Sequence, residues 1–437
     1  MEKEEIHFRL EKGSSICSKD GLYENDHPDK MADFHFYHVN PGDRIECQDK
    51  NYQYSIAFYT HEIEEYLMHT YCYQEEENWA KYFGKYPADE WIQEAMDIEK
   101  RGWVRIVVKR SDGKEIEPGD KEKAEAALTL RRGKEKYHKK YYFDEEIEKT
   151  IATVNQLAGD EDLIFGLMAD SHYVINGGWE DSLANLKAVH EKVRFDFTVH
   201  LGDLTDGLVP LAVTKEYARK VLNELESLNV PVFLTLGNHD SNYFHDNPEW
   251  MSKLEQSEFY LGRELPWYYR DFETQKVRCV FLYSFDHREK IRYGFPEEEV
   301  EWLEDILMET PNRYRVIVFS HVPLLPEMHF WSKEIRNSER IKEILDSYVI
   351  RGGKVLAYIH GHNHADQLEW TEYYPIVSIG CVKCEDFQDK KPKGSITFER
   401  KMGTLSQELW DVCVVHADKE EIDFIRFGAG EDRTIEV

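Results

Sequence analysis

No apolar run in this sequence is long enough to span a bilayer. Stretches such as "RVIVF" stop after a few residues, where about 20 are needed, so no membrane span is expected. Basic excess is also missing: 55 Lys and Arg face 85 Asp and Glu, for a net charge of −30. A polyanion is repelled at long range by such a chain, which disfavours nucleic acid as a partner. Cysteine is scarce and unpaired in pattern. Cys17, Cys47, Cys72, Cys279, Cys381, Cys384 and Cys413 are odd in number and scattered, which reads as reduced thiols in a cytoplasmic protein. The opening "MEKEEIHFRLEKG" has no apolar signal-peptide core and supports the same compartment; export would require a leader already removed. Repeats and low-complexity tracts are absent as well.

What remains is a composition suited to packed cores, 41% hydrophobic and 13% aromatic, in 437 residues, a length that favours two domains. Residues 1–150 lack a regular helix–strand alternation. "DFHFYHVNPGDRIEC" and "YQYSIAFYT" are short aromatic and β-branched runs, "WVRIVVKRSDGKEI" predicts a hairpin at Ser111-Asp112-Gly113, and "ADEWIQEAMDIEKRG" reads as a helix or an irregular insert. This half is expected to be a mostly-β accessory domain, a sandwich. The basic stretch "RRGKEKYHKKYY" reads as a solvated face, and "FDEEIEKTIATVNQLAGDED" has helical spacing ending at Gly159. The boundary is placed near residues 143–160.

From residue 160 to 437 the pattern becomes α/β. "LIFGLMAD", "FDFTVHLGD", "VPVFLTLGNHD", "YRVIVFSH" and "KVLAYIHGH" are compact apolar runs that end abruptly in polar residues. Helical patterns such as "WEDSLANLKAVHEKV", "TKEYARKVLNELESL" and "SERIKEILDSYVI" separate several of them, and "LWDVCVVHADKEEIDFIRF" predicts a C-terminal hairpin. Ligands in such sheets sit beyond the carboxyl ends of the strands, where these polar residues fall.

Taken in order, those ends carry Asp170-Ser171-His172, Gly202-Asp203-Leu204-Thr205-Asp206, Gly237-Asn238-His239-Asp240, His321, and Gly361-His362-Asn363-His364. Carboxylates, imidazoles and one amide, without thiolates, suit two divalent ions such as manganese, iron or zinc. A close ion pair needs a shared carboxylate, and Asp203 on its tight turn is the natural bridge. Each motif alone is common by chance; five in succession, each at a strand end, are not.

The set D-x-H, G-D-x-x-D, G-N-H-D, H and G-H-x-H resembles the calcineurin-like metallophosphoesterase superfamily over roughly residues 160–430. The resemblance implies a four-layer α/β/β/α sandwich with a dinuclear metal site. It assigns Asp170, His172 and His364 to one metal, Asp203 to the bridge, and Asn238, His321 and His362 to the other. His239 would contact the phosphoryl group or protonate the leaving oxygen, oriented by Asp240. The chemistry agrees: a metal-bound hydroxide is available near neutral pH, cations stabilise charge developing on equatorial oxygens, and a leaving alkoxide needs a proton.

Where purple acid phosphatases carry a tyrosine this chain has Asp206. Where Ser/Thr protein phosphatases carry arginine and glutamate it has Gly207 and Asp240. What is left resembles the group containing bacterial phosphodiesterases, so the expected substrate is a small phosphodiester. A phosphomonoesterase, a nuclease or a non-catalytic scaffold are the alternatives. Tyr173, Trp250 and Trp331 are expected to stack on substrate, and His245 and His329 to make polar contacts. His360 reads as a supporting or structural histidine, and Cys381 and Cys384 as two ordinary thiols. "DFHFYHVNPGD" with "YSIAFY" resembles β-sandwich accessory modules of bacterial surface and phage proteins, which implies a glycan contact for the first domain.

Overall fold

The computed structural model describes residues 5–19, 21, 23–33, 35–40, 42–60, 81–86, 91–98, 102–133, 140–173, 178–208, 211–243, 249–385, 391–392 and 394–437. The chain divides into two compact units, Met1–His138 and Lys139–Val437. The division falls ahead of the helix that the sequence reading placed at the boundary, because that helix packs within the second unit.

The first unit is built from two main antiparallel sheets. One runs Glu5–His7, Leu128–Arg131, Arg44–Cys47, Ala95–Asp97; the other centres on Gly102–Arg110 paired with Tyr52–Thr60, Lys30–Ala32 and Tyr37–Val39. Leu10, Ile45, Tyr54, Ile56, Ile106, Val108 and Leu130 form its core. Two expectations are corrected here. Gly102–Arg110 does not return as a hairpin after Ser111: the following "KEIEPGD" is charged, lacks alternation and leads into the helix Asp120–Ala127. Ala95–Asp97, read as helix or insert, is a strand on Arg44–Cys47, with tertiary pairing overriding local propensity.

In the second unit α1 (Asp144–Leu157) precedes β1 (Leu163–Met168), α2 (Trp179–His190), β2 (Phe197–His200), α3 (Leu211–Glu226) and β3 (Val232–Leu234). Then come β4 (Tyr268–Phe272), β5 (Val277–Phe281), α4 (Glu297–Glu309), β6 (Arg315–Ser320), α5 (Ser338–Ile350), β7 (Lys354–His360), β8 (Gln367–Trp370), β9 (Pro375–Ser378), β10 (Leu409–His416), β11 (Glu421–Gly428) and β12 (Arg433–Glu436). Two six-stranded sheets result, ordered β3-β2-β1-β10-β11-β12 and β4-β5-β6-β7-β9-β8.

Facing residues of both sheets interleave in one core: Phe165, Leu167, Phe197, Val199, Cys413 and Phe424 against Cys279, Phe281, Ile317, Phe319, Ile359 and Val377. On the outer side of the second sheet Val300, Leu303 and Leu307 of α4 and Ile341 and Leu345 of α5 cover Val280, Val316, Val318 and Val355. On the first sheet α1 lies over β10 and β11 and against α2. Helices outside, two sheets inside: the second unit is a four-layer α/β/β/α sandwich, the arrangement its motifs led us to expect. Strands buried on both faces are runs of Val, Ile, Leu and Phe for that reason. Among the described residues no helix is long and apolar enough to cross a membrane.

Register sets the stage for the site. Met168, His200 and Leu234 stand side by side at the carboxyl ends of β1, β2 and β3, and Ser320, His360 and Ser378 at those of β6, β7 and β9. The polar motifs begin immediately beyond.

Candidate metal centre

Beyond each strand end the backbone turns sharply. Asp170, His172, Asp203, His362 and His364 all have positive φ, between 39° and 67°. Side chains other than glycine rarely take that conformation, and where they do the strain usually serves a site. Five of the seven expected ligands adopt it. The motif glycines serve close approach. A Cβ on Gly237 would lie 2.1 Å from Asp203 Oδ1, and one on Gly361 would lie 2.5 Å from Asp170 Oδ2.

The turns converge. Asp170, His172, Asp203 and His364 form one group whose ligand atoms lie within 4.8 Å of one another; Asp203, His321 and His362 form another. Asp203 belongs to both, and Asn238 joins the second, its Oδ1 3.0 Å from His321 Nε2. His172 Nε2 and His364 Nε2 are 3.0 Å apart, His321 Nε2 lies 3.1 Å from Asp203 Oδ2, and the His362 amide donates to Asp170 at 2.9 Å. All of these side chains are buried. Residues this polar are not buried together without compensation. The donor set fits divalent cations on two counts: its chemistry is carboxylate, imidazole and amide, and His362 Nδ1 and His321 Nε2 are turned toward one another at 3.1 Å, two ring nitrogens converging as a shared cation would require.

Charge is distributed unevenly. Burial alone would raise Asp203, but His321, His239 and His172 overcome it and hold the carboxyl well below the usual range. Burial lowers His321, yet the Asp203 carboxylate wins and lifts it to about 9. His364 is likewise lifted well above the ordinary imidazole value, burial being outweighed by Glu385. His172 and His362 are pushed down by burial and by neighbouring imidazoles.

His239 lies beside this set, its ring centroid 4.7 Å from that of His172, and its Nδ1 donates to the Asp206 carbonyl at 2.5 Å. That corrects the role expected of Asp240. The Asp240 carboxylate accepts the backbone N–H groups of Asp203 and Gly237 at 2.8 Å and of Leu204 at 2.9 Å. It ties two turns together; the Asp206 carbonyl orients His239.

Residues expected around the pocket divide. Trp331 donates Nε1–H to the His362 carbonyl at 2.8 Å, and the His329 ring lies 4.9 Å from that of His362 and 4.7 Å from Tyr293. Trp250 is 40% exposed and meets His287 edge-on. Tyr173 is not available for stacking: it is buried, with its ring against Tyr217. His245 lies outside the described residues. His360 is buried, with Nδ1 at its neighbour's carbonyl, and burial pushes it down to about 3, so it stays neutral. Burial likewise pushes the Cys381 thiol up to about 11, so it stays protonated.

Three partners escaped the sequence reading of the ligand set. Glu385 hydrogen-bonds His364 Nδ1. Asp206 Oδ1 lies 3.0 Å from His172 Nδ1, at ion-pair distance without the alignment of a hydrogen bond. Lys383 Nζ lies 3.5 Å from the same Asp206 oxygen. Asp206 was visible in its motif; Glu385 and Lys383 stand in "CVKCE", which signals nothing locally.

Residues 163–366 match the model of the calcineurin-like phosphoesterase family. A curated relative, the manganese-dependent ADP-ribose/CDP-alcohol diphosphatase of Arabidopsis thaliana, is 24% identical over 209 residues, covering 38% of this chain and 64% of that protein. The chain thus spans less than two thirds of that relative's length. Among solved structures, a dimetal phosphatase from Danio rerio aligns with a TM-score of 0.46 at 18% identity, over 63% of this chain and 98% of the other. A purple acid phosphatase from yellow lupin (Lupinus luteus) aligns at 0.45 and 11% identity, over 99% and 74%.

Proposed function

We propose that this chain, whose residues 163–366 belong to the calcineurin-like phosphoesterase family, hydrolyses a small phosphodiester, and among such substrates a diphosphate-linked one. The reading is carried by two buried ligand groups that share Asp203, with His239 beside them. Asp170, His172, Asp203 and His364 would hold one cation; Asp203, Asn238, His321 and His362 the other. When bound, two divalent ions supply positive charge for the phosphoryl oxygens and Lewis acidity for the attacking water. Manganese is the first choice, because the Arabidopsis relative is named for it; that name also suggests the diphosphate linkage.

The chain's own residues supply orientation and a proton. With Nδ1–H given to the Asp206 carbonyl, His239 is oriented to present its other ring nitrogen to the leaving oxygen and pass a proton to it. Burial holds His239 below its ordinary value, which makes its proton easier to give up. Asp240 keeps the Asp203 turn against the Gly237 turn, so the shared carboxylate and His239 stay in register.

Manganese-loaded protein should be assayed on ADP-ribose, bis-p-nitrophenyl phosphate and p-nitrophenyl phosphate. Diphosphate and diester turnover ahead of the monoester is expected, with Asp203→Asn inactive on all three. Monoester preference overturns the diester reading. Full manganese occupancy with no turnover of any substrate overturns the hydrolase reading and favours a scaffold.

A further inference from the structure

The first ligand group has a feature the second lacks. His172 and His364 both turn Nε2 toward Asp170, at 4.0 and 3.4 Å, and both turn Nδ1 toward a carboxylate, Asp206 and Glu385 respectively. In the second group His321 Nδ1 instead meets a neutral backbone carbonyl, that of Leu201, at 2.8 Å.

Both carboxylates of the first group are governed from one short segment that follows β9. Cys381–Glu385 carries Glu385 itself, and it carries Lys383, whose ammonium is the buried counter-charge of Asp206. The segment is fixed. Val382 N–H donates to the Ala169 carbonyl at 2.8 Å and Lys383 N–H to the Asp170 carbonyl at 3.2 Å, so it runs along the turn that holds Asp170. The Arg400 guanidinium grips the Cys381 carbonyl at 3.0 Å, and the Cys381 thiol reaches the Lys383 carbonyl at 3.0 Å.

We propose that Cys381–Glu385 is the positioning element of the Asp170–His172–His364 cation site, with Glu385 its principal positioning residue. An imidazole offers a lone pair at one nitrogen only when the other carries the proton. A carboxylate at Nδ1 selects that tautomer, fixes the ring and makes Nε2 a stronger donor. Lys383 keeps Asp206 from adding uncompensated negative charge next to His172. The inference rests on the metal-dependent reading above and concerns cation affinity, not turnover.

The test is calorimetric titration of metal-free protein with manganese(II). Glu385→Ala should weaken one of two manganese sites by about 10- to 100-fold and leave the other within about 3-fold. Glu385→Asp, which keeps a carboxylate one methylene shorter, should recover part of the loss. The unfolding temperature of the metal-free variants should match wild type. Unchanged affinity in Glu385→Ala overturns the proposal, as does a loss that tracks a fall in unfolding temperature with no recovery in Glu385→Asp. Wild-type protein that takes up two manganese ions yet hydrolyses nothing refutes the proposed function and leaves this inference standing. Wild-type protein that binds no manganese refutes both.

Discussion

His172 and His364 face one another through their Nε2 atoms, 3.0 Å apart and buried. Two lone pairs cannot meet at that distance without a proton or a cation between or beside them. Glu385 outweighs burial to raise His364 above the ordinary imidazole value, while burial lowers His172, so a shared proton favours His364. A divalent ion would take the place of that proton, and Asp170 and Asp203 would help to hold it. Manganese at about 100 times its dissociation constant should stabilise the fold by roughly 3 kcal/mol and raise its unfolding temperature by several degrees. Excess chelator should reverse the shift. A melting curve indifferent to both rules the site out.

Gly237 and Gly361 separate the two ligand groups experimentally. A methyl on Gly237 collides with Asp203, which both groups share, and a methyl on Gly361 collides with Asp170, which belongs to one. Gly237→Ala should therefore abolish uptake of both manganese ions. Gly361→Ala should weaken uptake of one and spare the other by an order of magnitude or more. Titration of each variant, with circular dichroism to confirm folding, checks the contrast; equal losses in both would contradict it.

Asp240 offers a test of what its neighbour in sequence does not need. Its carboxylate takes three backbone N–H groups, while burial followed by the Asp203 charge pushes it above the usual carboxylate range. Removing it strands those donors, at about 1–3 kcal/mol each. Asp240→Ala should lose several kcal/mol of stability in urea unfolding and also lose manganese affinity, because the Asp203 turn loosens. If Asp240 served His239 alone, turnover would fall while affinity and stability held.

That the seven residues expected as ligands would cluster was legible because each lies where a buried strand stops, so strand pattern and motif mark the same positions. Of their supporting partners only Asp206 stood in a motif. Glu385 comes 21 residues after His364 in chain order, and only the path through β8 and β9 brings it back to that ring. Asp240 misled for the opposite reason: residues adjacent in a tight helical turn point apart, so proximity to His239 in sequence placed its side chain on other partners. In the first unit the alternating run through Arg110 was readable as a strand, but its partner was Tyr52–Thr60, some fifty residues earlier, and not the nearest turn.

Arg426 also escaped sequence reading. Its guanidinium, buried on β11, takes Asp366 at 2.8 and 2.9 Å and Asp411 at 2.9 and 3.2 Å. Asp366 follows β7 in one sheet and Asp411 lies on β10 in the other, so Arg426 joins the two sheets two residues past His364, with Arg433 Nη2 farther off at 3.4 and 3.8 Å from the same two carboxylates. Breaking a buried ion network leaves charge without compensation, a loss of about 3–5 kcal/mol. Arg426→Ala should show that loss in equilibrium denaturation, and manganese affinity should fall with it. A variant of wild-type stability would mean the carboxylates repartner elsewhere.

Glu408 gives the fold a pH dependence of its own, away from the ligand groups. Burial pushes its carboxyl up to about 7, against hydrogen bonds from Ser182 and Gln407 that lower it. Unfolded, the same carboxyl titrates near 4.3. The folded state thus binds the extra proton between those values. The stability this group contributes is complete below about pH 4.3 and is lost as pH rises through 7, an effect on the order of 3 kcal/mol. Glu408→Gln fixes the neutral form. It should match wild type near pH 4.5 and exceed it increasingly up to pH 8, where urea midpoints of the two proteins should differ most. A constant difference across that range would mean that Glu408 does not titrate within it.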